Sequence, residues 1–321
     1  MNNIYRLLDL SMQSIMNPKK FFSVLKKKYF SIPELHSLDK IQNTYLKRKF
    51  FYLWINLSKK NKRFNKLFFN NENDESVAKI DINYKKDFKE FFFENLAKNG
   101  VIIFENVLPN DEKKKIQNDF FNLKNFKIKE KNLSHSDWLI KPIETVGSCK
   151  QRIYSQKKIS DYPNLEKLSD KLTKEISGKV LKTVAEFYFD RSIKIPEEKI
   201  PGDNDLHIDR WAPNFKIFYS PFEVKTNGAP FTYLVGSHKI NEKYIRMIFD
   251  KSYKDIEKHQ IYNLKKKTQL LLKENSLVVA LTNGFHGRSS FTELNERMLL
   301  FLQYNKSFNK FSFFNYKSFN K

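Results

Sequence analysis

The arrangement of apolar residues after about residue 200 limits the possible folds of this chain more than any other feature. Short apolar runs follow one another there, each ended by turn residues: FKIFYSPF, APFTYLVG, SLVVALT and RMLLFLQY. Runs of this length between turn residues are typical of strands, because helices show longer segments with a period of 3.6 residues. The pattern predicts antiparallel β-structure in the form of a sandwich or small barrel.

Helical patterns dominate the part of the chain that precedes these runs. An apolar helical stripe begins at Phe88 and ends at Gly100, and the segment VIIFENV that follows is predicted to be a short strand. A second helix is predicted to begin at the segment PNDEKKK, where a proline and acidic residues stand at the positive end of the helix. Leucines spaced three and four apart from Leu165 onward mark a third helix.

These patterns predict a mixed α+β domain that spans residues 79–305. Within it, the Lys-rich insert at 239–273 is predicted to be helical. The tail at 306–321 is a low-complexity run of Phe, Asn, Ser and Lys. Its composition is compatible both with disorder and with packing of the phenylalanines on the domain.

Residues 1–78 are predicted to form a basic helical extension. The first 70 residues hold 15 Lys and Arg against 3 Asp and Glu, a net of +12, in a chain whose formal charge is +23. Such a block is either a solvated helical face packed on the main domain or a docking element for nucleic acid or an anionic membrane. The chain has only 9 Arg among its 59 basic residues, and Arg is preferred for phosphate and base recognition. Composition therefore favours the solvated face.

Several features predict a cytoplasmic protein without a transmembrane segment. The chain has no run of 18 apolar residues, and its first 20 residues lack the apolar block and cleavage site of a secretion signal. Cys149 is the only cysteine, so no internal disulfide can form. The sequence predicts neither an oligomeric state nor the identity of a substrate.

The segment DLHIDRW contains the residues on which a functional prediction depends. His207 and Asp209 are two apart, and side chains at that spacing on a strand point to the same face. An imidazole and a carboxylate side by side can hold a metal ion, or they can simply pair with each other. A metal site needs a third ligand, and His286 follows an apolar strand and precedes another one, a position that suits a ligand at the mouth of a barrel.

Two histidines and one carboxylate form the facial triad of non-haem Fe(II) oxygenases, which leaves three metal positions open for a co-substrate and O₂. Arg297 lies eleven residues after His286 and shares a strand face with Leu299 and Phe301. An arginine among apolar neighbours needs an anionic partner, and a dicarboxylate co-substrate would supply one. The alternative for Arg297 is a surface salt bridge with Glu293 or Glu296.

The sequence resembles the phytanoyl-CoA dioxygenase family of Fe(II)/2-oxoglutarate oxygenases. Four segments carry the resemblance, which covers roughly residues 90–305: LAKNGVIIFENVLPNDEKKKIQNDF, LHIDRW, NGAPFTYLVGSHK and NSLVVALTNGFHGRSSFTELNERMLLFLQY. It implies a double-stranded β-helix, the cupin-like jelly roll, flanked by helices. It also implies Fe(II) as cofactor, 2-oxoglutarate and O₂ as co-substrates, and hydroxylation of a small or medium organic metabolite with release of succinate and CO₂.

Carried over by position, the resemblance implies that Fe(II) is held by His207, Asp209 and His286. Arg297 would bind the 5-carboxylate of 2-oxoglutarate. The family often has a small hydroxyl residue two positions after the distal histidine; Arg288 stands there in this chain, and Ser289 is the neighbour that could substitute.

Further residues are assigned by the same resemblance or by their neighbourhood. His238 matches a turn residue of the family and is expected to be structural rather than a ligand. Arg210, Trp211 and Arg288 are candidate substrate residues, although core or outward-facing positions are equally compatible with the sequence. Related halogenating enzymes have a small residue in place of Asp209, so its presence favours hydroxylation or another oxidative step. The alternative function is a non-catalytic jelly-roll protein that uses its basic surface to bind nucleic acid or an anionic membrane.

Overall fold

The computed structural model describes the greater part of the region from residue 62 to residue 303. The residues that it describes are 52, 55, 59, 62–69, 78–81, 88–124, 138–145, 148–155, 159–177, 186–194, 206–209, 214–250, 262–289 and 296–303. The tail at 306–321 and nearly all of the first 61 residues lie outside this set, as do the candidate substrate residues Arg210 and Trp211.

Helices and strands are interleaved along the chain. The helices are α1 (Lys62–Phe68), α2 (Phe88–Asn99), α3 (Asn110–Lys124), α4 (Pro163–Ser177) and α5 (Glu242–Asp250). The strands are β1 (Ala78–Asp81), β2 (Val101–Glu105), β3 (Trp138–Thr145), β4 (Ser148–Ser155), β5 (Glu186–Lys194), β6 (Phe215–Ser220), β7 (Phe231–Leu234), β8 (Lys267–Gln269), β9 (Ser276–Leu281), β10 (His286–Arg288) and β11 (Glu296–Gln303). Within the residues that the structure describes, no helix is long and apolar enough to cross a membrane.

The strands form two sheets. The large sheet has the order β1-β2-β9-β6-β11-β5-β4-β3, and the small sheet has the order β10-β7-β8. Every pair is antiparallel except β1 with β2, which is parallel. The prediction of a mixed α+β fold with antiparallel sheets is therefore confirmed.

The strands β2, β9, β6 and β11 of the large sheet have buried side chains on both faces. One face packs on the small sheet, and their shared apolar residues form what we call the inter-sheet core: Val101, Ile103, Phe218, Val224, Tyr233, Leu270, Leu272, Val278, Ala280, Leu299 and Phe301. The other face packs on the helices. Strand β9 is buried along its whole length because its alternate residues enter the two cores, with Val278 and Val279 on opposite sides.

Helix α1 lies within the segment predicted to be a basic helical extension, and its apolar side chains are part of the main core. Its side chains Phe64, Leu67 and Phe68 are buried in the same apolar cluster as Phe92 of α2. The buried ammonium of Lys239 donates to the backbone carbonyls of Lys66 and Leu67, both at 3.3 Å. Lysine is favourable there because the last carbonyls of a helix carry a partial negative charge.

Three strands that precede residue 200, β3, β4 and β5, extend the large sheet beyond β11. The sequence predicts strand positions for Lys141, Cys149, Arg152 and Tyr154, which lie on β3 and β4, whereas β5 was not predicted. The prediction of a helical insert at 239–273 was correct for α5 but wrong for β8, which pairs with β7. A three-residue edge strand with exposed lysine and glutamine has no apolar alternation to reveal it.

Candidate metal centre

His207 and His286 are brought together by the backbone. The two residues form an isolated antiparallel bridge, in which the His207 amide donates to the His286 carbonyl at 2.8 Å and the reverse bond measures 2.9 Å. Their ring centroids are 4.7 Å apart. The amide of Asp209 donates to the Thr282 carbonyl at 3.1 Å, so both residues of the H-x-D pair are tied to the segment that carries His286.

One ligand atom from each of His207, Asp209 and His286 can be chosen so that all three lie within 4.8 Å of one another. His286 is buried, Asp209 is partly buried and His207 is exposed. The cluster therefore has a buried side toward the sandwich and an open side toward solvent. An open side is what a catalytic metal site needs for exchangeable ligands.

The hydrogen bonding of His286 fits a metal at this position. Its Nδ1 lies 2.9 Å from the Gly284 carbonyl, which can only accept, so Nδ1 carries a proton and donates it. In the neutral ring this leaves a lone pair on Nε2, which faces Oδ1 of Asp209 at 3.5 Å. Nε2 of His286 and Oδ1 of Asp209 are then two acceptors that face each other. A cation between them, either a proton or a metal ion, stabilises such a pair. Nε2 is buried and has no hydrogen bond to any residue in the described part of the chain.

Asp209 is held in its charged form. Burial raises the pKa of its carboxyl, but the neighbouring His286 ring and the charge of Lys216 outweigh that effect and lower the pKa well below its ordinary value of 3.8. Nζ of Lys216 forms an ion pair with Oδ2 at 2.7 Å. Sequence reasoning missed Lys216, because nothing in its local pattern separates it from the other lysines of this basic chain.

The G-S-H-K turn supports the loop that leads into His286. Oγ of Ser237 accepts the Phe285 amide at 2.7 Å, and Nδ2 of Asn283 donates to the His238 carbonyl at 2.8 Å. The His238 ring is fully buried, and its Nε2 donates to the Ala97 carbonyl at 3.1 Å. Burial, and after it the charge of Lys239, holds the pKa of His238 well below its ordinary value. His238 is therefore a neutral ring within the fold and lies outside the cluster that could hold a metal.

Arg297 is buried, with 5% of its surface exposed, which differs from the surface salt bridge considered above. It lies on β11 on the same strand face as Leu299 and Phe301, both of which belong to the inter-sheet core. Its Nη1 donates to the Ala229 carbonyl at 2.7 Å. The guanidinium thus enters the sandwich from the large sheet.

Ser289 and Arg288 are neighbours on the chain and alternate in direction. The Ser289 hydroxyl is 2.7 Å from Oγ1 of Thr232 and accepts from Nε2 of Gln269 at 2.9 Å, so its described hydrogen bonds join strands of the small sheet. Arg288 is half-buried and shares a strand face with His286.

A series of neighbouring aromatic rings extends from His286 into the space between the two sheets. The Phe231 ring stacks on the His286 ring, with centroids 5.5 Å apart and planes at 24°. The ring centroids of Phe231 and Phe218 are 5.1 Å apart, and the Phe218 ring stacks on Phe301 with centroids 5.4 Å apart. These rings make the inner side of the candidate centre apolar. The sequence did not predict Phe231 as a neighbour of the site. Its position follows from the pairing of β7 with β10, in which Phe231 is opposite Arg288.

No family model and no curated protein matches this chain. Solved structures that are similar include the non-heme alpha ketoglutarate dependent epimerase SnoN from nogalamycin biosynthesis, with 10% identity, a TM-score of 0.44 and coverage of 65% of this chain and 80% of that one. AviO1 from Streptomyces viridochromogenes has 14% identity and a TM-score of 0.42 over 63% and 88% of the two chains. HygX from Streptomyces hygroscopicus, solved with nickel and 2-oxoglutarate, has 12% identity and a TM-score of 0.40 over 67% and 85%. Likeness at this level identifies no family.

Proposed function

We propose that this protein is an Fe(II)- and 2-oxoglutarate-dependent dioxygenase of the phytanoyl-CoA dioxygenase type. One observation carries the proposal: ligand atoms of His207, Asp209 and His286 lie within 4.8 Å of one another. The bond from His286 to the Gly284 carbonyl supports it, because a second hydrogen bond of this kind fixes the tautomer and orientation of a metal-binding imidazole. Two imidazoles and one carboxylate suit Fe(II) and leave three positions open.

The path of the chain supports a double-stranded β-helix as the core of this enzyme. From β6 onward the chain passes repeatedly between the two sheets: β6 is in the large sheet, β7 and β8 in the small one, β9 in the large, β10 in the small and β11 in the large. Alternation of this kind winds two antiparallel sheets around one interior, as in a jelly roll. The candidate ligands lie at one end of that interior, beside the start of β10.

The residues of the site would have separate roles in the reaction. Bound Fe(II), with 2-oxoglutarate and O₂ as co-substrates, supplies the oxidising chemistry, and succinate and CO₂ leave as products. Arg297 would bind the distal carboxylate of 2-oxoglutarate from inside the sandwich, where a charge-assisted bond is strong because water is scarce. Phe231 and Phe218 exclude water from the inner side of the site. Ser289, whose hydroxyl also bonds Thr232 and Gln269, is proposed as a second contact for 2-oxoglutarate beside Arg297.

The substrate in this proposal is a small or medium organic metabolite, and the outcome is hydroxylation or another oxidative step. Asp209 supports that outcome over halogenation, because it occupies the position that halogenating relatives leave open for a halide. Arg288 is half-buried and shares the face of His286, so we propose it as a substrate contact, together with Arg210 and Trp211. We also propose that the protein is located in the cytoplasm.

The test is release of succinate from 2-oxoglutarate. The full chain is loaded with Fe(II) under anaerobic conditions, exposed to O₂ and 2-oxoglutarate, and screened against metabolite pools. We expect succinate release that rises when the substrate is present and is abolished in His207→Ala and Asp209→Ala. Unchanged turnover in both variants would refute the site, and absence of succinate in every pool would favour the non-catalytic binding protein.

A second assay addresses the basic block at 1–70. Retention of the full chain on DNA or on anionic vesicles is measured across a salt series, with and without that block. Steeply salt-dependent retention that disappears on deletion would support a contact with nucleic acid or membrane. Retention that is unaffected by the deletion would favour a solvated face.

A further inference from the structure

Strand β6 places a lysine inside the sandwich, beside the candidate metal ligands. Lys216 is opposite Ala280 of β9 and Gln303 of β11 in the register of the large sheet. It shares a strand face with Phe218, which belongs to the inter-sheet core. Only 18% of its side chain is exposed. A lysine in such a place needs a partner for its charge, and the partner here is Asp209 at 2.7 Å.

The two oxygens of Asp209 have different neighbours. Oδ2 faces the Lys216 ammonium at 2.7 Å, whereas Oδ1 faces Nε2 of His286 at 3.5 Å. A metal ion between Asp209 and His286 would therefore meet Oδ1. For Oδ2 to bind the same ion, the carboxylate would have to turn away from the ammonium and leave Lys216 half-buried without its ion pair.

We propose that Lys216 is a positioning residue of the metal centre. Lys216 holds Asp209 so that one carboxylate oxygen binds the metal, and it offsets the negative charge of that carboxylate. The inference rests on the proposed function, since it concerns the same three ligands. With the lysine in place, the single negative charge of the ligand set is cancelled. A ligand that enters the open positions then meets a metal ion with its full charge of a dication. That charge favours an anionic co-substrate. Metal binding without that anion is weaker for the same reason.

The experiment compares the full-length protein with three variants, using Co(II) as the probe in anaerobic, metal-free preparations. Lys216→Met removes the charge and keeps an unbranched chain of similar length, and Lys216→Arg restores the charge. Lys225→Met is the matched control, because Lys225 forms an ion pair with Glu223 while both side chains are more than half exposed. Calorimetry measures Co(II) affinity and then 2-oxoglutarate affinity of the Co(II) protein, and the visible absorption of Co(II) reports its coordination number.

In Lys216→Met we expect Co(II) to bind about tenfold more tightly, because a cation near the ion has been removed. The absorption spectrum changes as Oδ2 becomes free to bind the metal, and 2-oxoglutarate binds the Co(II) protein several-fold more weakly. Lys216→Arg and Lys225→Met behave like the wild type. An unchanged spectrum, or weaker Co(II) binding by a Lys216→Met protein whose circular dichroism is unchanged, would overturn the role of Lys216. Failure of the wild type to bind Co(II) at all would overturn the metal centre itself and the inference with it.

Discussion

His207 and His286 exchange two backbone hydrogen bonds, so the two imidazoles of the candidate centre start from a single rigid bridge. The spacing of the two histidines therefore depends on this backbone bridge. Sites built on regular elements hold their ligands with less variation than sites built on loops.

Asp209→Asn is expected to reduce affinity for Co(II) or Ni(II) by at least about 100-fold, because loss of residues that merely orient a ligand already reduces metal affinity 10–100-fold. The amide keeps the shape of the side chain and removes its charge. Calorimetric titration of the metal-free protein measures the effect. Glu223→Gln is the matched control, since Glu223 is more than half exposed and pairs with Lys225. Equal affinity in the two variants would exclude Asp209 as a ligand.

Arg297→Met is expected to raise the 2-oxoglutarate concentration for half-maximal succinate release by about 10- to 100-fold. A hydrogen bond to a charged group contributes roughly 1.5–3 kcal/mol, and each 1.4 kcal/mol is a factor of ten. Co(II) affinity should be unaffected, because Arg297 is not part of the ligand cluster. Arg297→Lys should recover part of the loss. A variant that binds 2-oxoglutarate normally would assign the buried guanidinium to a structural role, such as its bond to the Ala229 carbonyl.

Gly100→Ala is expected to lower the free energy of unfolding by at least about 2 kcal/mol, because two unfavourable effects coincide. Gly100 has a φ of 79°, which side chains with a Cβ rarely adopt, and a Cβ there would overlap Nδ1 of His238 and the hydroxyl of Tyr233. Urea unfolding measures the change. Lys98→Ala, two residues earlier in α2, is the control and should change stability by less than about 0.5 kcal/mol.

Lys239→Met is expected to lower the free energy of unfolding by about 1–3 kcal/mol, since the bonds to the Lys66 and Leu67 carbonyls are lost. Faster amide hydrogen exchange in residues 62–69 would locate the effect in α1. Lys66→Met is the control, because the Lys66–Glu94 pair is 42–44% exposed and such pairs contribute about 0–1 kcal/mol. Equal effects of the two substitutions would contradict a special role for Lys239.

The sequence predicted those features of the fold that local patterns encode. The helix that ends at Gly100 occurs as α2, and the strand after it occurs as β2. It also predicted the three residues that the fold brings into one cluster, because the H-x-D spacing and a histidine between two apolar strands are visible in one dimension. That these residues hold a metal remains a proposal.

Other features depend on pairing across the chain and could not be predicted locally. Strand β5 joins the large sheet because β4 and β11 lie on either side of it, and no local pattern shows those partners. Lys216 is one of 50 lysines in a basic chain, and only the register of β6 turns it toward the interior. The direction of Ser289 was likewise decided by the pairing of β10 with β7, which turns its hydroxyl toward Thr232.

Helix α1 also determines how short this protein can be made. A fragment cut at residue 79, where the patterns place the start of the domain, would lose the Phe64, Leu67 and Phe68 side chains from the core and strip the helix end from the buried Lys239. Such a fragment would expose the apolar residues that α1 covers and would remove two carbonyl acceptors of the Lys239 ammonium. Recombinant work on the smallest active piece should therefore keep the chain from residue 62 or earlier.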